Sequence, residues 1–164
     1  MPSGLKSIGA SSFILCSSLK SIDFPRGVEV IGSNAFSGCT SLTEVSFPES
    51  MKTIYDNAFL GCDGLKEVVL PKNLEMLREL AFAYCTGLEK VYIPSTVVSI
   101  NVNTGFSPFN FCDKDLLLIT DAEKRPEGWS PDFNVYHIGE TETDDPAEGF
   151  LYLQVVYGSE IPQN

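Results

Sequence analysis

Residues 42–62 read LTEVSFPESMKTIYDNAFLGC, and this stretch recurs along the chain with the same residue classes in the same places. Self-similarity at a fixed period of about 20–50 residues is the signature of a solenoid, in which each repeat forms one coil. The closing Phe-x-x-Cys bracket recurs every 23 residues and then, in a fifth copy, after 27. Its members are Phe13/Cys16, Phe36/Cys39, Phe59/Cys62, Phe82/Cys85 and Phe109/Cys112. We therefore predict a repeat protein stabilised by the stacking of its coils.

The rest of the repeat falls into columns that predict its local structure. Ile22 and Phe24 alternate with Asp23 as in a short half-buried strand. A proline ends this strand in each copy, at Pro25, Pro48, Pro71 and Pro94. The Val-x-x-Ile-x-x-x-Ala-Phe-x-x-Cys stretch that follows suits a second extended or turn segment leading into a single helical turn. The predicted fold is a β-rich solenoid, with a parallel sheet along one face and short turns or helical turns on the other.

The cysteines and phenylalanines of the bracket are predicted to fill the core. Stacked coils place equivalent residues roughly 5 Å apart, a distance that permits a disulfide, but the side chains run parallel rather than facing each other. We interpret Cys16, Cys39, Cys62, Cys85 and Cys112 as a buried thiol column, with disulfides as the alternative. No CxxC pair or nearby histidine indicates a metal site.

The motif Leu-x-x-Ile-x-Phe-Pro followed by Val-x-x-Ile-x-x-x-Ala-Phe-x-x-Cys, at a period of 23 residues, resembles the BspA-like leucine-rich repeats. The resemblance covers roughly residues 2–120. It implies a right-handed leucine-rich-repeat coil, a secreted or cell-surface location, and a role in adhesion to host proteins or other cells. No catalytic residues come with the family.

The predicted organisation is a solenoid over residues 1–138, an acidic linker over 139–149, and a tail over 150–164. The repeats run over about 2–24, 25–47, 48–70 and 71–93, with an irregular repeat at 94–120 and a C-terminal cap at 121–138. In that cap Trp129 is predicted to lie across the last coil, with Phe133, Val135 and Tyr136 as further cover. The tail is either the first strand of another domain, which we favour, or a strand that pairs with a sheet edge.

The N-terminal coil is predicted to expose an apolar face and an unpaired strand edge. Pro2 stands 23 residues before Pro25, in phase with the proline column, so the first repeat lacks its first strand. Either further repeats or a cap precede this segment in the full protein, or the edge docks a partner. Edge-to-edge self-association through this coil is a further possibility.

Composition excludes several function classes. The net charge is −11, and residues 113–164 hold 3 Lys/Arg against 12 Asp/Glu, whereas residues 1–112 hold 8 against 10. This charge argues against nucleic-acid binding. The chain contains no apolar run long enough to span a membrane and no visible secretory signal. His137 is the one histidine and is predicted to be structural, so we predict neither an enzyme nor a cofactor or metal site.

Function is therefore predicted to lie in the columns that the core leaves free. Strand-facing columns line the concave face in leucine-rich folds, and here they vary in charge from coil to coil. We expect Val69 and Tyr92 to form an apolar patch there, with Lys66, Glu67 and Lys90 around it. The leading hypothesis is a non-enzymatic module that binds a protein or glycan. The competing hypothesis is a structural spacer that holds another domain and has no ligand of its own.

Overall fold

The computed structural model of the protein describes residues 2, 4–97, 99–100, 106–113, 115–127, 129, 135–137, 150–152, 154–160 and 162. For residues 99, 135–137 and 150–152 it describes the backbone only. The predicted linker at 139–149, the predicted cover by Phe133, and the predicted side-chain roles of Val135, Tyr136 and His137 lie outside this description.

The chain is a β-solenoid of about five coils, as the sequence predicted, and the described residues contain no helix. Each coil has a strand, a proline turn, a second very short strand, and a run of turns that ends at the cysteine. The strands are β1 (Ser7–Ile8), β2 (Ser21–Asp23), β3 (Val30–Ile31), β4 (Glu44–Ser46), β5 (Thr53–Ile54), β6 (Glu67–Val69), β7 (Met76–Leu77), β8 (Lys90–Ile93), β9 (Ser99–Ile100), β10 (Leu117–Thr120), β11 (Val135–His137), β12 (Phe150–Tyr152) and β13 (Gln154–Val156).

Two sides of the coil carry parallel strands. One side is a five-stranded sheet in the order β1-β3-β5-β7-β9. The other side, here called the strand face, consists of the pair β2-β4 and the four-stranded sheet β6-β8-β10-β13. The third side, here called the turn side, runs from each strand of the five-stranded sheet to the next cysteine. Its coils are joined by backbone hydrogen bonds such as Phe36 N–H to the Ala58 carbonyl, 2.7 Å long.

The proline turn has the same hydrogen bond in every coil. The residue three positions after each proline donates its N–H to the proline carbonyl, as Met51 does to Pro48 at 3.0 Å. Proline fixes φ for such a turn and lacks the N–H that would continue the strand ladder. Trp129 makes this bond to Pro126 at 3.1 Å, so the turn recurs after the last regular repeat.

Ladders of identical side chains form the core. Phe13, Phe36, Phe59 and Phe82 stack with ring centroids 5.0 to 5.2 Å apart, and Phe109 continues the stack at 6.1 Å. The wider last step coincides with the four extra residues that precede Phe109. Phe36, Phe59, Phe82 and Phe109 are fully buried, whereas Phe13 is only half-buried.

The first coil departs from the predicted core. Cys16 is exposed, and its neighbours Ile14 and Leu15 are 45% and 72% exposed. The placement of Cys16 in the core is therefore wrong, because no described coil lies on the outer side of the first one. The four other cysteines are buried and free of disulfides.

The C-terminal end of the solenoid is closed by two segments. Trp129 is buried, forms a parallel bridge with Ile100, and donates its Nε1–H to the Val97 carbonyl at 2.5 Å. Strand β13 pairs in parallel with β10 and so becomes the last strand of the strand face. Of the two alternatives for the tail, pairing with a sheet edge is the one that the structure gives for Gln154–Val156. β12 pairs with β11 in an antiparallel ribbon.

Candidate binding face

The register of the strand face places outward side chains in two rows. Glu67, Lys90, Leu117 and Gln154 are successive partners across β6, β8, β10 and β13. Two residues further along each strand, Val69, Tyr92, Ile119 and Val156 form a second row, here called the apolar row. Residues between the rows, such as Val68 and Val91, point inward and are buried, because side chains alternate along a strand.

The structure brings the five predicted site residues together at one place on this face. Val69 and Tyr92 are register partners and are half-buried, and Glu67 and Lys90 are exposed partners beside them. The Lys66 side chain reaches Glu89 at 3.6 Å. The arrangement is a pair of apolar side chains with an acidic and a basic side chain beside it.

Sequence reasoning missed the continuation of this site. Ile119, only 9% exposed, and the half-buried Val156 extend the apolar row by two strands. Ile119 could have been found, because it follows Tyr92 by the same 27 residues that separate Cys85 from Cys112. Val156 carried no such signal, since it reaches the face through pairing with a strand far away in sequence.

The opposite end of the strand face carries polar and charged side chains instead of apolar ones. On β2 and β4 the outward residues are Ser21, Asp23, Glu44 and Ser46. An open groove of about 610 Å³ lies where this end meets the first two proline turns, and Asp23, Arg26 and Glu49 are among its lining residues. This end of the face is polar, so the face changes from polar to apolar along the solenoid axis.

Four ion pairs among the described residues join the side chains of neighbouring coils. Lys6 contacts Glu29 at 2.9 Å and Lys52 contacts Glu75 at 2.6 Å, each 23 residues apart. These four residues form one column of alternating sign beside the five-stranded sheet. Exposed pairs of this kind stabilise a protein by only about 0–1 kcal/mol, and they leave no strong field of one sign on the repeats.

The buried thiols of the column are held protonated, as is typical of cysteines in a protein core. Cys39, Cys62, Cys85 and Cys112 each lie 3.1 to 3.3 Å, through Sγ, from the phenylalanine carbonyl oxygen of the preceding coil. Burial raises the pKa of Cys62 and of Cys112 to about 12, and it raises the pKa of Cys85 and Cys39 as well. Thiols held protonated in this way are poor nucleophiles and poor metal ligands.

The described residues form neither a metal-binding cluster nor a membrane-spanning helix. No cluster of three or more His, Cys, Asp or Glu residues among them has the geometry to hold a metal ion. Within the same part of the chain, no helix has the length and apolar character that crossing a membrane requires.

The repeats and the fold both resemble those of known proteins. The sequence model of the family described as BspA type leucine rich repeat region matches residues 1–112 in 6 copies. The pneumococcal vaccine antigen PcpA is similar in structure, with a TM-score of 0.62 and 26% identity over 82% of this chain and 31% of that one. A leucine-rich cell surface protein from Faecalibacterium prausnitzii has a TM-score of 0.58 and 34% identity over 61% of this chain and 26% of that one.

A leucine-rich repeat protein of T. pallidum shares the fold, with a TM-score of 0.52 and 23% identity over 77% of this chain and 69% of that one. The chain thus spans about a third of PcpA and a quarter of the F. prausnitzii protein. Comparison with curated proteins gave no match.

Proposed function

The chain belongs to the BspA-type leucine-rich repeat family, and from that premise we propose that it is a non-enzymatic binding module of a secreted or cell-surface adhesin. The ligand is a protein or a glycan, and it contacts the strand face at the apolar row and the charges beside it. The single observation that carries this proposal is the row itself: four apolar side chains in register across four strands.

The chemistry of the row supports binding. Tyr92 at its centre combines a large apolar ring with a hydroxyl group, the combination that is enriched at interface hot spots. Glu67 and Lys90 stand beside it with opposite charges, and such charges give orientation and specificity more than affinity. The half-buried members of the row, Val69, Tyr92 and Val156, lose water when a partner covers them, which favours association.

The location is inferred from the related structures. One is a vaccine antigen and another is described as a cell surface protein, which supports a surface or secreted location for this chain.

A spacer role is the second candidate, and the polar half of the face favours it. On β2 and β4 the outward side chains are short or charged, and no apolar row extends there. A regular stack of coils with paired surface charges would serve equally well as a stalk that holds another domain away from a surface.

The proposal is tested by screening residues 1–164, fluorescently labelled, on an array of extracellular-matrix proteins and glycans. The face variant combines Glu67→Lys, Lys90→Glu and Tyr92→Ala. The matched control is the exchange Lys52→Glu with Glu75→Lys, which reverses an exposed pair outside the strand face. We expect the face variant to lose its signals for the matrix proteins by about tenfold or more, as loss of a hot spot does, and the control to keep them.

The two candidate functions give different results in this experiment. Binding to matrix proteins that survives in the face variant would show that the strand face is the wrong surface. A wild-type chain that binds no component of the array would favour the spacer role.

A further inference from the structure

The residue directly before each cysteine of the repeat lies in a left-handed backbone conformation. The φ angles are 58° at Leu15, 74° at Gly38, 68° at Gly61, 56° at Tyr84 and 59° at Phe111. The conformation lets the turn side bond to the next coil, as when Gly38 donates its N–H to the Leu60 carbonyl at 2.7 Å. Glycine adopts it without strain, whereas residues with a side chain do not.

The last two coils nevertheless carry aromatic residues at this position. The Tyr84 and Phe111 rings stack with centroids 4.5 Å apart and planes inclined by 17°, and Phe106 lies 6.4 Å from Phe111. Tyr84 is 47% exposed, so its ring is not placed there to fill the core. Phe111 stacks on one face of the Tyr84 ring. Gly61 is the equivalent residue of the preceding coil, on the opposite side of Tyr84 from Phe111.

The position next to Tyr84 is empty of side chains. A Cβ built on Gly61 would meet no atom within 4 Å. In the coil before Gly61, the Leu15 side chain leans over Gly38, where its Cδ2 would come within 2.6 Å of such a Cβ. Leu15 is 72% exposed. Leu15 and Tyr84 thus form the two walls of a slot, here called the Gly61 slot, with the Gly61 backbone as its floor.

The slot has room for one more flat ring in the stack that Phe111 and Tyr84 form. Neighbouring coils are spaced by about 4.8 Å, which is close to the stacking distance that Tyr84 already keeps from Phe111. A flat ring entering above Gly61 would stack on the open face of Tyr84 just as Phe111 stacks on the covered one.

Polar groups follow the same column two residues later. The Thr86 hydroxyl donates to Asp63 Oδ1 at 2.9 Å, and the Thr86 N–H lies 3.3 Å from the same oxygen. Both residues are exposed, and each directly follows the cysteine that ends the turn side of its coil. Asp63 and Thr86 come two residues after Gly61 and Tyr84, so a carboxylate and a hydroxyl lie close in sequence to the two residues of the slot.

We propose that the Gly61 slot is a carbohydrate-binding site, in which a pyranose ring stacks on Tyr84. A pyranose presents C–H groups of slight positive charge on its flat face, which suit the negative face of an aromatic ring. Its hydroxyl groups would exchange hydrogen bonds with Asp63 and Thr86. The slot is shallow and open to water, which suits a sugar better than the desolvated pocket that an aromatic side chain of a protein partner fills.

This site lies on the turn side, and the proposal does not depend on the strand face. Residues 1–164 are applied to an array of hexose and N-acetylhexosamine oligosaccharides. Tyr84→Ala removes the platform. Gly61→Phe fills the slot from within, and Leu15, Tyr84 and Phe111 show that this backbone conformation accepts a side chain. Tyr55→Ala, which removes an exposed tyrosine following β5, is the matched control.

We expect the wild-type chain and Tyr55→Ala to bind the same oligosaccharides, and Tyr84→Ala and Gly61→Phe to bind them at least tenfold more weakly. Circular dichroism checks that each variant is folded. If Tyr84→Ala does not fold, the binding of Gly61→Phe alone tests the proposal. A wild-type chain that binds no sugar on the array overturns the proposal. Equal binding by Gly61→Phe also overturns it. Loss of sugar binding in Tyr92→Ala, with Gly61→Phe unaffected, would assign the sugar to the strand face instead.

Discussion

At the scale of single residues, the thiol column shows why cysteine recurs in this repeat. The Phe13 carbonyl accepts the N–H of Cys16, at 3.2 Å, and also lies 3.2 Å from Cys39 Sγ of the next coil. The Phe36 carbonyl has the same two partners, Cys39 N–H and Cys62 Sγ. A carbonyl oxygen has two lone pairs, and in a dry core both are best satisfied. Cysteine is small, apolar and still a weak donor, so it fits this position.

The column predicts a position-dependent cost of removing a thiol. Cys62→Ala deletes a buried Sγ and its contact with the Phe36 carbonyl, and we expect the free energy of unfolding to fall by about 1–3 kcal/mol. Cys16→Ala removes an exposed thiol and should change it by less than about 0.5 kcal/mol. Urea denaturation of both variants measures the difference, and equal losses would contradict a buried column.

The raised thiol pKa values predict a loss of stability in alkaline solution. In the unfolded chain the thiols ionise above about pH 8.5–9, whereas burial keeps the pKa of Cys62 near 12 in the folded protein. Between these values the folded state binds more protons, so the free energy of unfolding falls as pH rises, by about 1.4 kcal/mol per pH unit and thiol. Urea denaturation at pH 7, 9 and 10 should show this fall, less steeply for Cys62→Ala. Identical slopes would contradict the prediction.

Individual core residues were predictable wherever a column repeated. Phe59 and Phe82 are both fully buried, because stacked coils give equivalent residues equivalent surroundings. Cys16 occupies the same column but is exposed, because burial depends on a neighbouring coil and not on the residue itself. The left-handed conformation of Tyr84 was not foreseen, since only the glycines in its column hint at it.

At the scale of elements, the least predictable part was the five-stranded sheet. Its strands are only two residues long, as in Met76–Leu77, so alternation has no room to appear in the sequence. They exist because coil stacking pairs them, as Ile54 pairs with Leu77. The long strand face, by contrast, showed the alternation of Ile22, Asp23 and Phe24. β13 carried no local sign of its partner, because its pairing with β10 is long-range.

Trp129 is the side chain that contributes most directly to the C-terminal closure. Trp129 is 2% exposed, bridges Ile100, and bonds the Val97 carbonyl through Nε1. Trp129→Ala would leave a cavity and an unsatisfied carbonyl, so we expect the free energy of unfolding to fall by about 3–5 kcal/mol. Tyr157→Ala, at a residue that is 37% exposed, is the control and should cost less than about 0.5 kcal/mol. Thermal or urea denaturation that ranks the two variants equally would show that Trp129 does not close the solenoid.

At the scale of the whole molecule, the solenoid is regular in its core and graded on its surface. The core columns repeat from coil to coil, whereas the strand face changes from Asp23 and Ser46 to Val69, Tyr92 and Ile119. Stability in such a fold comes from contacts between neighbouring coils, so outward residues vary at little cost to it. The gradient therefore indicates which end of the face is suited to a partner, and both proposed sites lie toward the C-terminal coils.

The most direct test of this account is the affinity of Tyr92→Ala for the strongest protein ligand that the wild-type chain binds on the array, measured by surface plasmon resonance beside Tyr55→Ala. Both variants remove a partly exposed tyrosine, but only Tyr92 lies in the apolar row. If the strand face is the binding surface, Tyr92→Ala weakens binding by about tenfold or more, and Tyr55→Ala leaves it unchanged. Equal affinities of the wild-type chain and both variants would contradict the account.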